Sequence, residues 1–313
     1  MHKMKIGIAD NNALKFCKDI KEHWESKGHE VRFEIGASEH ISQWADLYYI
    51  EWWDNNLHYL WNWYQENLGA KKPKFVVRAI DWDVWCSYVP TSQQYVDFID
   101  ECIVIAPHMY DEVKKRAEFG DKLHLICPGL DTSRFSFRER DGKGNKIAMM
   151  TGDIWQMKNV MEGLMIFAEA DLRWPERKFE LHWRGQYADH ATYMKVAVDH
   201  FIKSRGLEDR FTLYSPVNSI DEWLEPMDFL INPSIKEAFS FSVAEAMAKG
   251  IKPIVNNWYG SIDIWPRFLY NTVSQAVEMI GSPNYNSAEY RQVVEDSYSL
   301  DTMLEAYDKL LGT

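Results

Sequence analysis

The chain has 313 residues, of which 46% are hydrophobic and 14% aromatic, and its formal net charge is -12. This length and apolar content predict two domains of ordinary size, each with its own core, and argue against disorder. The excess of acidic residues disfavours nucleic acid and anionic lipid as main partners, because the field of the whole chain repels polyanions. Since no apolar stretch approaches the roughly 20 residues of a membrane-spanning helix, we expect a cytoplasmic protein without a transmembrane segment.

The cysteines and histidines show no metal-binding pattern. The four cysteines have no C-x-x-C spacing, and each lies in or beside an apolar run: Cys17, Cys86, Cys102 and Cys127. We interpret them as reduced core residues of an intracellular chain. The ten histidines include no H-E-x-x-H sequence, so the sequence predicts no zinc site.

The first half of the chain alternates short β-branched apolar runs with segments of helical period. The runs predict strands over Lys5–Ala9, Glu30–Ile35, Asp46–Glu51, Lys74–Ile80, Glu101–Ile105 and Lys122–Cys127. Asn12–Lys27 has the pattern of a helix, and Gly28 follows it as a usual C-terminal glycine. Strands that alternate with helices predict an α/β domain with a mainly parallel sheet between two helical layers.

The pattern breaks at the polar stretch FSFRERDGKGNK, residues 135–146, where we place a linker between two domains. The second half repeats the alternation. Its predicted strands are Lys146–Met150, Lys178–Trp183, Arg210–Tyr214, Phe229–Ile231 and Pro253–Val255, with helices over about Asn159–Ala170 and Thr192–Ser204. The last segment, SLDTMLEAYDKLLG, predicts an amphipathic helix that needs a surface to cover. The predicted divisions are therefore residues 1–138, 139–295 and 296–313.

Two doubly wound domains bind ligands at the carboxyl ends of their strands, so a nucleotide substrate is the default expectation. The residues after the first strand are ADNNALKF, which lack the G-x-G-x-x-G sequence of dinucleotide-binding proteins. No Walker sequence, G-x-x-x-x-G-K-S/T, occurs either. Dehydrogenase and P-loop NTPase functions therefore lose their main support.

The segment 232–266, NPSIKEAFSFSVAEAMAKGIKPIVNNWYGSIDIWP, is the most informative part of the sequence. It predicts a strand end, a loop with Glu237, and a helix over about Ser242–Lys249. The amides of a helix N-terminus and of the loop before it suit a phosphate group. Glu245 has two interpretations, because it faces the same crevice but also completes a capping box with Ser242. The residues alone leave both open.

This segment resembles the donor-site signature of the retaining glycosyltransferases of family 4, the glycosyl transferases group 1. In that signature two glutamates bracket seven residues, as Glu237 and Glu245 do, and EAMAKGIKPIV continues in register from Glu245. Residues 125–135, LICPGLDTSRF, resemble the element that closes the family's N-terminal domain. Residues 206–217, GLEDRFTLYSPV, are similar to the strand and turn that hold the nucleotide base.

The resemblance implies a GT-B fold, in which two Rossmann-like domains face each other across a cleft and a C-terminal helix packs back toward the N-terminal domain. It also implies transfer of a hexosyl group from a nucleotide-diphosphate sugar to an acceptor hydroxyl, with retention of anomeric configuration and without a metal or cofactor. An oxygen of the leaving diphosphate can accept the acceptor's proton, so a dedicated protein base is not required.

The same resemblance assigns roles to individual residues of the second half. Glu237 would bind hydroxyls of the donor sugar, and the charge of Lys158 would stabilise the leaving diphosphate. Glu245 would bind the ribose hydroxyls, since a carboxylate accepts from two adjacent hydroxyls. The rest of the predicted donor site consists of Ser240 and Phe241 at the diphosphate, with Gly152, Pro216 and Val217 nearby.

The sequence departs from the family pattern at three places. Asn11-Asn12 replace the family's N-terminal glycine-rich loop, and they could still approach a phosphate or the acceptor, because asparagine tolerates left-handed backbone angles. Asp153 stands where the family usually has arginine, which adds negative charge near the expected diphosphate, and Arg184 is our candidate for the compensating cation. The donor loop, AFSFS over residues 238–242, replaces the glycines and proline of the family. These departures keep open the alternative of a weakened GT-B fold that only binds a nucleotide or a sugar.

The acceptor side is assigned to the first half. Asp81-Trp82-Asp83 resembles the D-x-D sequence that binds manganese in the other large glycosyltransferase fold, and paired carboxylates suit a hard cation. The family resemblance instead implies metal-independent transfer, so we expect Arg78, Asp81 and Asp83 at the mouth of the cleft, where a solvated loop is an equal alternative. Asn12 follows the first predicted strand and His108 follows the fifth, and both complete this predicted acceptor side.

Other functions remain open on the residues alone. A sugar epimerase or phosphorylase could share the architecture, but the sequence offers no clear general acid or pyridoxal site. The acceptor could be a saccharide, a lipid-linked glycan or another hydroxyl, and a nucleic-acid acceptor is disfavoured without being excluded by the mean charge.

Overall fold

The structure is a computed structural model that describes residues 3–86, 92–189 and 191–312. The chain forms two compact units. Unit 1 extends to Pro128 and takes up the chain again at Asp301, whereas unit 2 comprises Gly129–Leu300. Each unit is built around a six-stranded sheet within the described residues.

The sheet of unit 1 is parallel throughout and follows the predicted strands closely. Its strands are β1 (Lys5–Ala9), β2 (Glu30–Glu34), β3 (Leu47–Glu51), β4 (Lys74–Ala79), β5 (Glu101–Val104) and β6 (Leu123–Leu125). Their spatial order is β2-β1-β3-β4-β5-β6. The chain therefore leaves β1 toward one side and later returns to its other side at β3, which makes a topological switch point between these two strands.

The helices of unit 1 cover this sheet. They are α1 (Lys18–Ser26), α2 (Glu39–Trp44), α3 (Asn55–Glu66), α4 (Asp81–Trp85), α5 (Gln93–Phe98) and α6 (Pro107–Lys114). The first helix begins at Lys18 and not at Asn12 as the sequence predicts. The physical reason is Asp10, which is fully buried and accepts hydrogen bonds from the amides of Asn12 and Leu14, each at 2.8 Å. Its carboxylate holds residues 11–17 in turns, with Leu14 left-handed at φ 65°.

Unit 2 has a second parallel sheet. Its strands are β7 (Lys146–Ile154), β8 (Glu180–Tyr187), β9 (Phe211–Tyr214), β10 (Phe229–Asn232), β11 (Lys252–Asn256) and β12 (Leu269–Tyr270), in the order β12-β11-β10-β7-β8-β9. Its helices are α7 (Val160–Arg173), α8 (Thr192–Ser204), α9 (Ile220–Leu224), α10 (Phe241–Ala248), α11 (Ser261–Ile264), α12 (Val273–Gly281) and α13 (Ser287–Ser297). The switch point of this sheet lies between β7 and β10.

The polar stretch 135–146, predicted as a linker, is packed against unit 2. Arg140 is 8% exposed, and its guanidinium donates to the backbone carbonyls of Met227, Lys249 and Glu225. These carbonyls replace the water that a buried guanidinium loses. The division between the units accordingly follows Pro128 and precedes this stretch.

The last helix, α14 (Leu300–Leu311), packs on unit 1, the unit to which the chain returns at Asp301. Tyr307 is fully buried, and its hydroxyl lies 3.2 Å from that of Tyr49 in β3. Asp308 pairs with His23 and Lys27 at the end of α1. The apolar stripe that the sequence predicts on α14 thus packs against unit 1, where Tyr307 contacts Tyr49 of β3.

Candidate active site

The predicted catalytic residues lie at the switch point of unit 2. Lys158 follows β7, in a single helical turn that precedes α7, and Glu237 follows β10. Because β7 and β10 are neighbours, their carboxyl ends meet at one edge of the sheet. The amide of Ile235 donates to the carbonyl of Met157 at 3.0 Å, which ties the two loops together directly.

The structure brings Lys158 and Glu237 into an ion pair. Lys158 Nζ lies 2.6 Å from Glu237 Oε1, and the two side chains keep 21% and 17% of their surface exposed. A lysine ammonium has three donors and a carboxylate has two acceptor oxygens, so this single contact leaves further hydrogen-bonding capacity on both groups. The pair is therefore accessible enough to exchange part of its contact for a bound ligand.

The start of α10 lies beside this pair. Ser240 is the N-cap residue and has a left-handed backbone, with φ 76°, and among the described residues no side chain caps the first turn. The first amides of a helix have no intrahelical partner, and they lie at the positive end of its dipole. The capping box that Ser242 and Glu245 could form is not made. Ser242 Oγ instead lies 3.1 Å from Ser240 Oγ.

Side chains beneath the donor loop hold its unusual conformation. Asn232 Nδ2 donates to Ser240 Oγ at 2.6 Å, which fixes the left-handed residue from the end of β10. Phe239 is 3% exposed and packs against Trp265 and Tyr298, with ring centroids 5.3 and 5.0 Å away. Trp265 Nε1 also donates to the carbonyl of Phe239 at 2.8 Å. These contacts account for a loop that lacks the family's glycines.

Glu245 lies on α10, in the second turn of the helix, and is partly buried. Burial raises the pKa of Glu245 to about 7, and the positive charge of Arg184 opposes this rise. Arg184 lies on the neighbouring strand β8, and among the described residues its buried Nε has no hydrogen-bond partner. The positive charge of Arg184 therefore acts on Glu245. Asp153, for which Arg184 was the candidate compensating cation, instead accepts a hydrogen bond from Gln186 Nε2 at 3.1 Å.

The remaining predicted donor residues lie on the same edge of the sheet. Gly152 is near the end of β7, with φ 60°, and an added Cβ would meet nothing within 4 Å. Pro216 and Val217 follow β9, the next strand beyond β8. The carboxyl ends of β10, β7, β8 and β9 thus present the predicted donor residues in one row along the sheet.

Two of the predicted acceptor residues line a pocket in unit 1. This unit 1 pocket has a volume of about 230 Å³ and is lined by Asn11, Asn12, Trp52, Asp54, Asn55, Trp82 and Asp83. The predicted acceptor side contained Asn12 and Asp83, and the sequence also pointed to Asn11, but it did not indicate Trp52, Asp54 or Asn55 individually. The aromatic-rich run WWDNNLHYLWNWYQENLG, which starts at residue 52, was the available signal.

The other predicted acceptor residues do not lie at an open surface. Arg78 is 4% exposed and donates to Glu51 through Nε and Nη2, at distances down to 2.6 Å. His108 is also 4% exposed, and its ring stacks with that of Trp85 at 6.3 Å. Arg78 forms a buried ion pair because β3 and β4 are neighbours and present Glu51 and Arg78 to each other in register. The side chains of Arg78 and His108 are both buried, whereas the sequence led us to expect them at an accessible surface.

The Asp81-Trp82-Asp83 triplet is a helix start in the structure. Asp83 is 2% exposed, and its Oδ2 accepts hydrogen bonds from the amides of Ile80 and Trp53, both at 2.9 Å. Asp81 begins α4 and is partly buried. Burial raises the pKa of Asp83 to about 7. Among the described residues, no group of three or more His, Cys, Asp or Glu side chains is placed to hold a metal ion.

Comparison with known proteins supports a common architecture. A sucrose-phosphate synthase from Thermosynechococcus elongatus is similar with a TM-score of 0.76 and 12% identity, over 99% of this chain and 98% of that one. A glycosyltransferase from Rickettsia africae gives a TM-score of 0.76 and 14% identity, over 99% of both chains. The Anabaena protein HepE, in complex with UDP, gives 0.77 and 11%, over 99% of this chain and 100% of that one.

The fold is therefore GT-B, and the predicted fold class of two doubly wound Rossmann-like domains is confirmed. Residues 145–264 match the family model described as glycosyl transferases group 1. Among curated proteins, none matches the chain. Together, the fold and the family model support a GT-B glycosyltransferase. In the part of the chain that the structure describes, no helix has the length and apolar character needed to cross a membrane.

Proposed function

We propose that the protein is a retaining hexosyltransferase of family 4. It moves a sugar from a nucleoside diphosphate sugar to an acceptor hydroxyl without a metal ion. The observation that supports this most directly is the Lys158–Glu237 pair at 2.6 Å beside the first turn of α10. Solved structures of the similar Anabaena protein contain UDP and UDP-glucose.

Each group has a role that follows from its charge and position. The amides at the start of α10 and the ammonium of Lys158 would bind the diphosphate and stabilise the negative charge that develops as it leaves. Glu237 would accept hydrogen bonds from hydroxyls of the donor sugar while keeping Lys158 in place. Glu245 would accept from the ribose hydroxyls of the nucleotide.

The transfer itself needs little covalent chemistry from the protein. The bond from the anomeric carbon to the diphosphate oxygen breaks, and a bond to the acceptor oxygen forms on the same face. The acceptor proton passes to an oxygen of the leaving diphosphate. The protein contributes positioning and charge stabilisation, which supply most of the rate in such reactions.

We also infer a cytoplasmic location. The four cysteines are unpaired in the described residues, and two of them, Cys17 and Cys102, are fully buried. Burial raises the pKa of both thiols well above their ordinary value, so they are unreactive core residues. Cys86 is exposed, so the expectation of a core position is wrong for this residue.

A donor screen tests the proposal. The protein is incubated with UDP-, GDP-, ADP- and dTDP-linked hexoses and a mixture of acceptors, with and without EDTA, and products are identified by mass spectrometry. We expect release of one nucleoside diphosphate and an acceptor heavier by one hexose, unchanged by EDTA, with the anomeric configuration of the donor in the product's NMR spectrum. Binding of a nucleoside diphosphate without transfer or hydrolysis would instead indicate a binding module, and loss of turnover in EDTA would contradict metal independence.

A further inference from the structure

The unit 1 pocket lies where a doubly wound sheet binds its ligands. Asn11 and Asn12 follow β1, Trp52 and Asp54 follow β3, and Trp82 follows β4. The switch point of this sheet is between β1 and β3. Loops that leave neighbouring strands in opposite directions open a crevice at this point. The position of the pocket is therefore a consequence of the strand order.

The described residues of the pocket wall carry aromatic, amide and acidic side chains. Trp82 is 54% exposed, so one of its faces is available to a ligand. Three asparagines supply both donors and acceptors, and Asp54 supplies two acceptor oxygens. Among the described lining residues there is no lysine or arginine. Such a wall suits a ring with an apolar face and several hydroxyls around its edge.

Two carboxylates hold the wall in place, Asp83, which is buried, and Asp54, which is partly exposed. Asp83 Oδ2 accepts from the amides of Trp53 and Ile80, and so joins the turn after β3 to the turn after β4. Asp54 accepts from Asn11 Nδ2 at 2.6 Å and from the amide of Asn56 at 2.8 Å. The loops after β1 and β3 are thereby connected. Pre-organised groups of this kind lower the entropic cost of binding, because the protein side chains are already ordered.

The backbone of Trp52 gives an independent indication of function. Its φ is 79°, a left-handed conformation that is uncommon for a bulky residue and costs on the order of 1–3 kcal/mol. The amide of Trp52 donates to the carbonyl of Arg78 at 3.0 Å, which maintains this conformation. Strained residues concentrate at binding and active sites, where the surrounding structure enforces them.

We infer that the unit 1 pocket binds one uncharged sugar residue of the acceptor, and that this acceptor is a saccharide. The inference rests on the proposed transferase function. Trp82 stacks on the sugar ring, and Asn12, Asn55 and Asp54 bind its hydroxyls. The volume of about 230 Å³ lies below the roughly 300 Å³ at which pockets for drug-sized ligands begin. One ring therefore fits, and the rest of the glycan lies outside.

The electrostatics of the pocket exclude an anionic group at the same place. A phosphate or carboxylate on the bound residue would face the carboxylate of Asp54, with no lysine or arginine among the described lining residues to offset the repulsion. It would also lose its hydration without gaining a charged partner. Acceptors whose reacting residue bears a phosphate, including nucleic acid, are accordingly disfavoured.

Saturation-transfer NMR and calorimetry on the full chain test the inference. The probes are methyl glycosides of neutral hexoses and N-acetylhexosamines, neutral disaccharides, and the 6-phosphates of the same sugars. We expect a neutral sugar to bind and its phosphate not to bind. Trp82→Ala should raise the Kd by roughly tenfold, the usual scale for loss of one stacking contact. Asn12→Ala should also weaken binding, while Tyr193→Ala, at an aromatic residue 91% exposed in unit 2, leaves it unchanged.

Three results would overturn the inference. These are preferential binding of the phosphorylated sugars, no binding of any neutral probe, and an unchanged Kd in Trp82→Ala and Asn12→Ala. Titration with UDP, GDP and ADP in the same samples separates this inference from the proposed function. Nucleotide binding without sugar binding would contradict only the inference of a saccharide acceptor. Sugar binding without nucleotide binding would contradict the proposed transferase function.

Discussion

The two units each contain an ion pair at the carboxyl end of the sheet, and the two pairs differ in solvent access. In unit 1, Arg78 and Glu51 approach to 2.6 Å with 5% and 0% of their side chains exposed. In unit 2, Lys158 and Glu237 approach to the same 2.6 Å with 21% and 17% exposed. Distance alone does not separate them. The exposed fraction does, because only a pair that water reaches can also be reached by a substrate.

The hydrogen bonds around each pair support this distinction. The guanidinium of Arg78 also donates to the carbonyl of Phe16 at 2.8 Å, and Glu51 also accepts from the hydroxyl of Tyr49 at 3.0 Å. Burial raises the pKa of Glu51, and the adjacent charge of Arg78 opposes this rise. Buried charges are tolerated only when they are compensated in this way. The Arg78 pair is therefore structural, and the Lys158 pair is the candidate for chemistry.

The largest effect is expected from breaking the buried pair. Arg78→Leu leaves Glu51 without its counter-charge in the interior, so we expect the free energy of unfolding to fall by about 3–5 kcal/mol. Urea denaturation followed by circular dichroism measures this change. The double variant Arg78→Leu/Glu51→Leu removes both charges and should recover most of the loss. An unchanged midpoint in the single variant would show that the pair contributes nothing to folding.

The next effect concerns turnover and not stability. Lys158→Met and Glu237→Gln each remove a group that binds the donor, so we expect the rate of transfer to fall by about 10²–10³-fold, as for loss of one group that stabilises a leaving charge. The free energy of unfolding should change by less than about 1 kcal/mol, because the pair is partly exposed. Product formation is measured by mass spectrometry, with Lys195→Met on the exposed face of α8 as the control. Wild-type rates in both site variants would disprove the assignment of this site.

The smallest effect is a shift in the pH dependence of the affinity for the nucleoside diphosphate. The pKa of Glu245 is raised to about 7, so its carboxyl takes up a proton as the pH falls below this value and loses acceptor capacity for the ribose. We expect the affinity for the nucleoside diphosphate to decline below about pH 7. Arg184→Met removes the charge that opposes the rise, so the decline should begin at higher pH. Calorimetry from pH 6 to 8.5 measures both profiles.

Glu245→Gln is the control for this titration, since the amide does not ionise. Its affinity should be weaker but nearly independent of pH over the same range. A wild-type profile that persists in Glu245→Gln would assign the pH dependence to another group, such as the phosphate of the nucleotide.

Local sequence patterns were sufficient to predict most strands, and the misses have physical causes. A run such as Lys74–Ala79 is apolar on both faces because its sheet is covered on both sides. β12 was not predicted, because its two residues, Leu269–Tyr270, are too few to show an alternation of apolar and polar side chains. The start of α1 was misplaced because Asp10, which directly follows β1, competes for the amides of the expected first turn.

The residues of the candidate active site could be predicted from local sequence only where one continuous segment contains the whole motif. Glu237 and Glu245 belong to a single run, whereas Lys158 is 79 residues away from Glu237 and was assigned by resemblance alone. Arg78 was misplaced because no local pattern shows that Glu51, 27 residues earlier, pairs with it across two strands. The left-handed turn at Trp52 was likewise invisible, since a tryptophan there gives no sign of positive φ.

The left-handed serine at the start of α10 has a consequence for the kinetics of ligand exchange. A glycine at this position would let the loop sample several conformations. Ser240 instead accepts a hydrogen bond from Asn232, and the ring of the preceding Phe239 packs against Phe241 and Trp265. The amides that face the diphosphate should therefore keep one orientation in the ligand-free protein. Nucleotide association would then need no loop closure, and the lifetime of the complex would depend on the dissociation rate.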